Sequence, residues 1–183
     1  MNSDEKLVSD ALSGSVSAFT EIVERYSERL LRFLLTRCRT RADAEDALQD
    51  TFANAYRYLN TFNPKWRFST WIYRIAIRNA VRSAPQGVMV EVSSDLEDQA
   101  ADPLRDCIRA SDRENLWLTA RDLLSADAYS AMWLRYAEDL PVREVAGALD
   151  RSTSWTKVTL MRARNVLEQE MSRTIPKERE HYG

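Results

Sequence analysis

Residues 62–82 read FNPKWRFSTWIYRIAIRNAVR, a run that holds five basic side chains and no acidic one. Five of the seventeen aromatic residues in the chain lie in the same run. Single-stranded nucleic acid needs positive charge near its phosphates and flat apolar faces for its unstacked bases, so this mixture is typical of a surface that binds single strands. Its apolar spacing predicts a helix that begins at Ser69 or Thr70 and ends at Pro85.

The segment before this run has the opposite charge. Thr40 and Asp43 fit a capping box with Asp in the usual Glu or Gln place, and the helix that they begin is predicted to run to about Leu59. Its acidic side chains recur three and four residues apart and form one exposed stripe. The stripe suits a basic partner, although carboxylates near a helix start also stabilise the helix dipole. An earlier helix, capped by Ser17, is predicted to continue to Cys38.

Composition limits the class of protein. With 183 residues, 44% hydrophobic and 30% charged, the chain has room for one domain or two small ones. No stretch approaches the roughly eighteen apolar residues of a membrane span, and MNSDEKLVSDALSG lacks the apolar core of a secretion signal, so we expect a cytoplasmic protein. Cys38 and Cys107 are too few for a disulfide framework or a zinc site, and we expect no metal and no other cofactor.

The chain is predicted to be all-α, with two small helical domains joined by a flexible acidic linker. Residues 1–84 have a net charge of +3 and residues 110–173 a net charge of −1. Between them, residues 85–109 have a net charge of −4, contain prolines and a glycine, and lack a sustained period, which indicates an irregular connection. Residues 174–183 form a polar tail.

The second domain shows a helix-turn-helix pattern. A helix from Ser111 to Leu124 precedes a second helix capped by Ser125. Pro141 suits the first turn of a short helix, and Ser152 caps a longer one. Two helices joined by about four residues, the second rich in basic and polar groups, are typical of helix-turn-helix proteins.

Three segments of the chain, in this order, resemble a bacterial sigma factor of the extracytoplasmic-function (ECF) type. DAEDALQDTFANAYRYLNTF resembles the polymerase-binding helix, FSTWIYRIAIRNAVR the promoter-melting helix, and LRYAEDLPVREVAGALDRSTSWTKVTLMRAR the helix-turn-helix. The resemblance covers almost the whole chain. It implies a protein that binds core RNA polymerase and directs promoter recognition and DNA opening, with a region 2-like domain at 1–84 and a region 4-like domain at 110–173.

The resemblance also implies roles for individual residues. The acidic stripe is expected to dock on a coiled coil of the largest polymerase subunit, through Asp43, Glu45, Asp46, Gln49, Asp50, Phe52 and Tyr56. The aromatic, cationic run is expected to bind and open the −10 element, through Asn63, Lys65, Trp66, Arg67, Arg74, Arg78, Asn79 and Arg82. Phe68 and Trp71 lie near the apolar face, so we expect them in the core.

The long helix of the second domain is expected to read the −35 element as duplex. The positions that match the family's contacts are Lys157, Thr159, Met161, Arg162 and Arg164, whereas Thr156, Leu160, Ala163 and Leu167 are predicted to be buried. The chain departs from the family pattern where Trp155 precedes Thr156, where Thr159 replaces a common arginine, and where Asp150 replaces a frequent turn glycine. These departures bear on which −35 sequence the helix prefers, and not on the fold.

Other functions compete with this interpretation. A sigma-like decoy would bind only an anti-sigma factor and would not need Lys65, Trp66 or the arginines. An ordinary helix-turn-helix regulator would not need the acidic stripe. An enzyme is not expected, because His181 is the single histidine and no nucleophile–base pair or glycine-rich phosphate loop is present. Family members commonly bind an anti-sigma factor between their domains, and a near-neutral chain needs polymerase to supply affinity for DNA.

Overall fold

The computed structural model describes residues 3–82 and 110–174, which form eight α-helices and no strand. The prediction of an all-α fold is therefore confirmed for these residues. The first block contains α1 (Asp4–Leu12), α2 (Val16–Leu34), α3 (Arg41–Arg57) and α4 (Phe68–Arg82). The second contains α5 (Ala110–Leu123), α6 (Ala126–Met132), α7 (Val142–Leu149) and α8 (Thr153–Thr174). The predicted linker at 85–109, with Cys107, and the tail after Thr174, with His181, lie outside the described residues.

The helix starts of the first block follow local capping. The capping box of Thr40 and Asp43 is present at α3, as predicted. The cap of α2 is Ser15 rather than Ser17, because Ser15 has extended backbone angles and its hydroxyl accepts the Ala18 amide at 3.3 Å. Helix α1 was not predicted, although Ser3 caps it in the same way.

Helix α4 lies at the centre of the first block and begins at Phe68, before the predicted start at Ser69 or Thr70. It packs against α2 and α3. Two edge-to-face aromatic pairs join α4 to α2, Tyr26 with Phe68 at 5.4 Å between centroids and Phe33 with Tyr73 at 5.2 Å. These contacts fix the position of the loop before α4 and the direction of its outer face.

In the second block, α6 continues into a π-helical turn at Trp133–Ala137, and α7 and α8 form the helix-turn-helix. Pro141 is the N-cap of α7, one position before the predicted first turn. Asp150 ends α7 in the left-handed conformation, with φ 57° and ψ 43°, which Asp tolerates better than most residues. Ser152 caps α8 as predicted, accepting the Trp155 amide at 3.1 Å.

The two blocks pack directly against each other. Their buried apolar residues form one continuous cluster rather than two separate cores. Trp133 of the second block reaches Phe33 at 6.4 Å between ring centroids and donates its indole N–H to the Tyr73 hydroxyl at 3.2 Å. Helices α4 and α7 lie side by side along this boundary.

Candidate polymerase and nucleic-acid interfaces

The acidic stripe of α3 divides into two parts. At the helix start, Asp43 accepts the Thr40 amide at 3.2 Å, and Glu45 pairs with Arg41 at 2.7 Å. Further along, Asp46 and Asp50 are exposed and form no ion pair with any residue in the described ranges. The second part is therefore the better candidate for a basic partner, whereas Asp43 stabilises its own helix.

Neutral and aromatic residues of α3 were also expected to contact the polymerase. Gln49 is exposed and Phe52 is half-buried against the core. Tyr56 is 59% exposed, yet its ring packs edge-to-face on Phe19 of α2 at 4.9 Å between centroids. The packing holds an exposed aromatic ring in a fixed orientation, which suits the apolar part of a docking surface. Phe19 of α2 thus supports this surface.

The loop before α4 and the outer face of α4 border a cleft. Asn63 accepts the Lys65 amide through its side chain at 3.0 Å, a bond that shapes the turn, and Lys65 is exposed. The cleft has a volume of about 380 Å³. Four predicted −10 residues lie in its lining, which consists of Thr61, Asn63, Trp66, Thr70, Trp71, Arg74, Ile75, Arg78 and Gly147.

The aromatic residues of the run serve different purposes. Phe68 is 1% exposed and belongs to the core, as predicted. Trp71 is half-buried between Phe62, at 5.8 Å, and Phe68, at 5.6 Å, and its remaining surface lines the cleft. Trp66 is also half-buried and lies against the second block. Phe68 thus anchors α4 in the core, whereas Trp66 and Trp71 border the cleft.

The basic run has no acidic residue of its own, but the second block supplies acidic partners. Arg74 pairs with Asp150 at 3.5 Å, and Arg67 lies 3.9 Å from the Glu144 carboxylate. Arg78 is exposed. Arg82 is the last residue of α4, and its side chain lies outside the described residues.

Asn79 requires a correction. It was predicted to contact DNA, but the structure places it between α4 and α3, where it is 6% exposed. Its amide nitrogen donates to the Thr51 hydroxyl at 3.2 Å, and its amide oxygen accepts from Asn54 at 3.4 Å. Adjacent positions on a helix are turned about 100° apart, so Arg78 points outward while Asn79 points inward. A buried, satisfied amide stabilises the helix pair.

Sequence reasoning missed the polar contacts along the boundary of the two blocks. The carboxylate of Glu138 is 2% exposed and accepts from Arg29 at 3.0 Å and from the Tyr73 hydroxyl at 2.7 Å. Burial and the neighbouring Glu138 raise the pKa of Tyr73 well above its usual value, so the phenol stays protonated and donates. Arg37, nearly buried, donates to Ser130 and Asp127. No local pattern indicates pairs so distant in sequence.

Helix α8 divides into a buried and an outward face. Thr156, Leu160, Ala163 and Leu167 are buried, which confirms that part of the prediction. Of the five predicted −35 positions, Lys157 and Arg162 are exposed and Thr159, Met161 and Arg164 are half-buried. Trp155 is half-buried, with the Arg151 guanidinium 5.2 Å from its ring centroid, so this departure from the family pattern forms a packed pair at the helix start.

These features define a two-domain helix-turn-helix protein, and comparison with known proteins makes the class more specific. The sequence profile described as Sigma-70 region 2 matches residues 22–84. The ECF RNA polymerase sigma-E factor of Haemophilus influenzae is 28% identical over 182 residues, 92% of this chain and 95% of that protein. The sigma-E factor of Escherichia coli K12 is 27% identical over 94% of this chain and 96% of its own length. Over nearly its whole length the chain is thus similar to ECF RNA polymerase sigma factors, and its first block matches Sigma-70 region 2.

Solved structures share the fold. CnrH in complex with the cytosolic domain of CnrY has a TM-score of 0.67 at 21% identity, covering 95% of this chain and 100% of CnrH. RpoE in complex with the anti-sigma factor NepR from Bartonella quintana has a TM-score of 0.59 at 19% identity, covering 87% and 100%. Within the described residues, none of the helices has the length and apolar character needed to cross a membrane.

Proposed function

We propose that this chain is a sigma factor of the ECF type, which docks on core RNA polymerase through the exposed acidic part of α3 and opens the −10 element at the cleft beside α4. The observation that carries the proposal is the cleft itself. The cleft brings Asn63, Trp66, Arg74 and Arg78 to one surface. In the same domain, the neighbouring helix α3 presents Asp46 and Asp50. A docking surface and a single-strand surface on adjacent helices are what a promoter-opening subunit needs, whereas a decoy that binds only an anti-sigma factor has no need of the single-strand surface.

The cleft suits strand capture energetically. Separating base pairs costs about 1.4 kcal/mol per step, and a base stacked on an aromatic side chain returns about 1–3 kcal/mol. Trp66 and Trp71 offer such rings at the border of the cleft, while Arg74 and Arg78 offer charge for the displaced backbone. Asn63 shapes the turn that holds Lys65 outward. Asn79 is left out of this contact set because its amide is engaged inside the helix pair.

We further propose that α8 reads the −35 element in the major groove, with Arg162 and Lys157 as the charged contacts and the Thr159 and Met161 side chains as apolar ones. Arg164 would contact the backbone. In the cell the protein would work in the cytoplasm, without catalysis or cofactor of its own. The solved neighbours in complex with CnrY and with the anti-sigma factor NepR support a regulatory partner of the anti-sigma type.

The −35 assignment predicts a specific loss for Arg162→Ala. On a promoter recovered by run-off selection, holoenzyme affinity should fall by about 5–150-fold, because a base contact is worth about 1–3 kcal/mol. On the same promoter with a scrambled −35 element the loss should be much smaller. Affinity is measured by fluorescence anisotropy at one fixed salt concentration. Arg173→Ala, an exposed arginine at the end of α8, is the control and should bind like the parent. Equal losses on both promoters would assign Arg162 to the phosphate backbone instead.

A further inference from the structure

We infer that Trp155 is a further specificity-determining residue for the −35 element, and that its indole ring contacts the C5-methyl group of a thymine in the major groove. The inference rests on the proposed role of α8 and deepens it, because none of the five proposed −35 contacts supplies an aromatic ring. Trp155 is the third residue of α8, which begins at Thr153. In helix-turn-helix proteins, the first residues of the second helix contact base edges.

Trp155 lies on the same flank of α8 as two of the proposed contacts. Thr159 follows it by four residues and Arg162 by seven, a spacing that places all three side chains on one side of an α-helix. The buried face, which contains Thr156 and Leu160, lies next to this flank and points to the core. At 1.5 Å of rise per residue, the three positions span about 10 Å, or about three base-pair steps of B-DNA.

The buried core does not include the Trp155 ring. Trp155 is half-buried, yet among the residues that the structure describes it belongs neither to the buried apolar cluster nor to the side chains packed against that cluster. Trp117 and Trp133 of the same block, by contrast, pack against each other with ring centroids 5.0 Å apart. Tryptophan is highly buried on average, because its large apolar surface gains from leaving water. At the start of α8, the surface that can cover this ring is DNA.

The orientation of Trp155 is fixed before DNA arrives. Its backbone amide donates to the Ser152 hydroxyl at 3.1 Å, which ties the residue to the cap of α8. The Arg151 guanidinium lies 5.2 Å from the indole centroid and donates to the Asp127 carboxylate at 3.0 Å. Arg151 is therefore a positioning residue, held beside the ring by an acid in the first turn of α6. A side chain that is already ordered loses less entropy on binding.

The chemistry of the ring favours thymine. The C5-methyl group of thymine is the one apolar substituent on the base edges of the major groove, where the other groups are hydrogen-bond donors and acceptors. Indole carbons gain from covering a methyl group, but they leave a polar edge without a partner if they cover that instead. Each A·T pair supplies one such methyl group, on one strand or the other. The contact therefore selects an A·T pair opposite the start of α8.

The methyl contact is first tested with the unaltered protein, as holoenzyme on a promoter recovered by run-off selection. Each thymine of the −35 element is replaced singly by deoxyuridine, which removes the C5-methyl group and keeps every hydrogen-bonding group. At the thymine that faces the start of α8, affinity should fall by about fourfold, the factor that burial of one methyl-sized group gives. Fluorescence anisotropy at one fixed salt concentration measures the affinity.

Variants then assign the lost contact to the ring. In Trp155→Ala holoenzyme the fourfold effect of that deoxyuridine should shrink to about one, whereas Trp155→Phe keeps a ring and should retain most of it. Arg151→Ala, which removes the support of the ring, should retain part of it. Val166→Ala is the control, since Val166 is 40% exposed on the same flank about three turns further along, and the full effect should remain.

Two results would overturn the inference. One is a −35 element in which no thymine methyl group affects the affinity of the parent. The other is a set of methyl effects that Trp155→Ala leaves unchanged, even if the variant lowers the melting temperature, because the ring would then serve folding alone. In both cases, initiation at the selected promoter would preserve the proposed function. A holoenzyme that bound a scrambled −35 element equally well would remove α8 from −35 recognition, and this inference with it.

Discussion

Replacing Asp46 and Asp50 together with lysine should reduce binding of core RNA polymerase by about a hundredfold or more, because like charges facing each other across an interface cost several kcal/mol. Both carboxylates are exposed on α3 and have no internal partner among the described residues, so their charge is available to an external one. Reversal turns each attraction into a repulsion rather than merely deleting it. Binding is measured by titrating labelled variant with core polymerase and following anisotropy.

The control for this double variant changes the same charge elsewhere. Asp122→Lys with Glu168→Lys alters net charge equally at exposed positions of α5 and α8, and it should bind core polymerase like the parent. Exposed substitutions of this kind change stability by about 0.5 kcal/mol or less, so thermal melting should distinguish folding defects from lost docking. Unchanged polymerase affinity in the Asp46, Asp50 double variant would remove α3 as the docking surface.

Replacing Lys65 and Trp66 together with alanine should spare polymerase binding and reduce opening of a duplex promoter by about tenfold or more, since each stacked base returns about 1–3 kcal/mol. A promoter that is already melted around the −10 element should restore part of the activity, because the melting cost is then absent. Opening is followed by the fluorescence of 2-aminopurine placed in the −10 element. The assay uses holoenzyme, because in the free chain Trp66 also packs on α7.

A matched comparison comes from Arg32→Ala, which removes one cation from the exposed Arg32–Glu28 pair of α2, away from the cleft. This variant should open the duplex promoter at the rate of the parent. If the Lys65, Trp66 double variant opened duplex as fast as Arg32→Ala, the loop before α4 would have no part in melting. An equal loss on duplex and pre-melted templates would assign the residues to binding rather than to opening.

Patterns among residues close in sequence predicted most of the helices and the buried face of α8. Helical periodicity and capping residues such as Thr40, Ser125 and Ser152 depend on neighbours within one turn, so the sequence reveals them directly. The buried face of α8 follows from the same period. The cap of α2 was predicted at Ser17 instead of Ser15, because two nearby serines both fit the capping pattern and the sequence does not rank them.

Contacts between distant segments were not predictable in this way. Glu138 and Arg29 are 109 positions apart, and each alone has the composition of an ordinary surface residue. The basic run contains no acid of its own, so its partners in the second domain were missed. Asn79 illustrates a smaller error, since one step along the helix separates an outward arginine from a buried amide. Burial by a neighbouring element decides such cases, and it depends on tertiary packing.

The central claim is that this chain gives core RNA polymerase the ability to start at specific promoters. Run-off transcription with core polymerase on a promoter library, with and without the protein, tests it most directly. The account predicts discrete transcripts that require the protein and that derive from templates sharing both a −10 and a −35 sequence. If core polymerase bound the protein and yet initiated from no member of the library, the chain would be a sigma-like decoy and the claim would be contradicted.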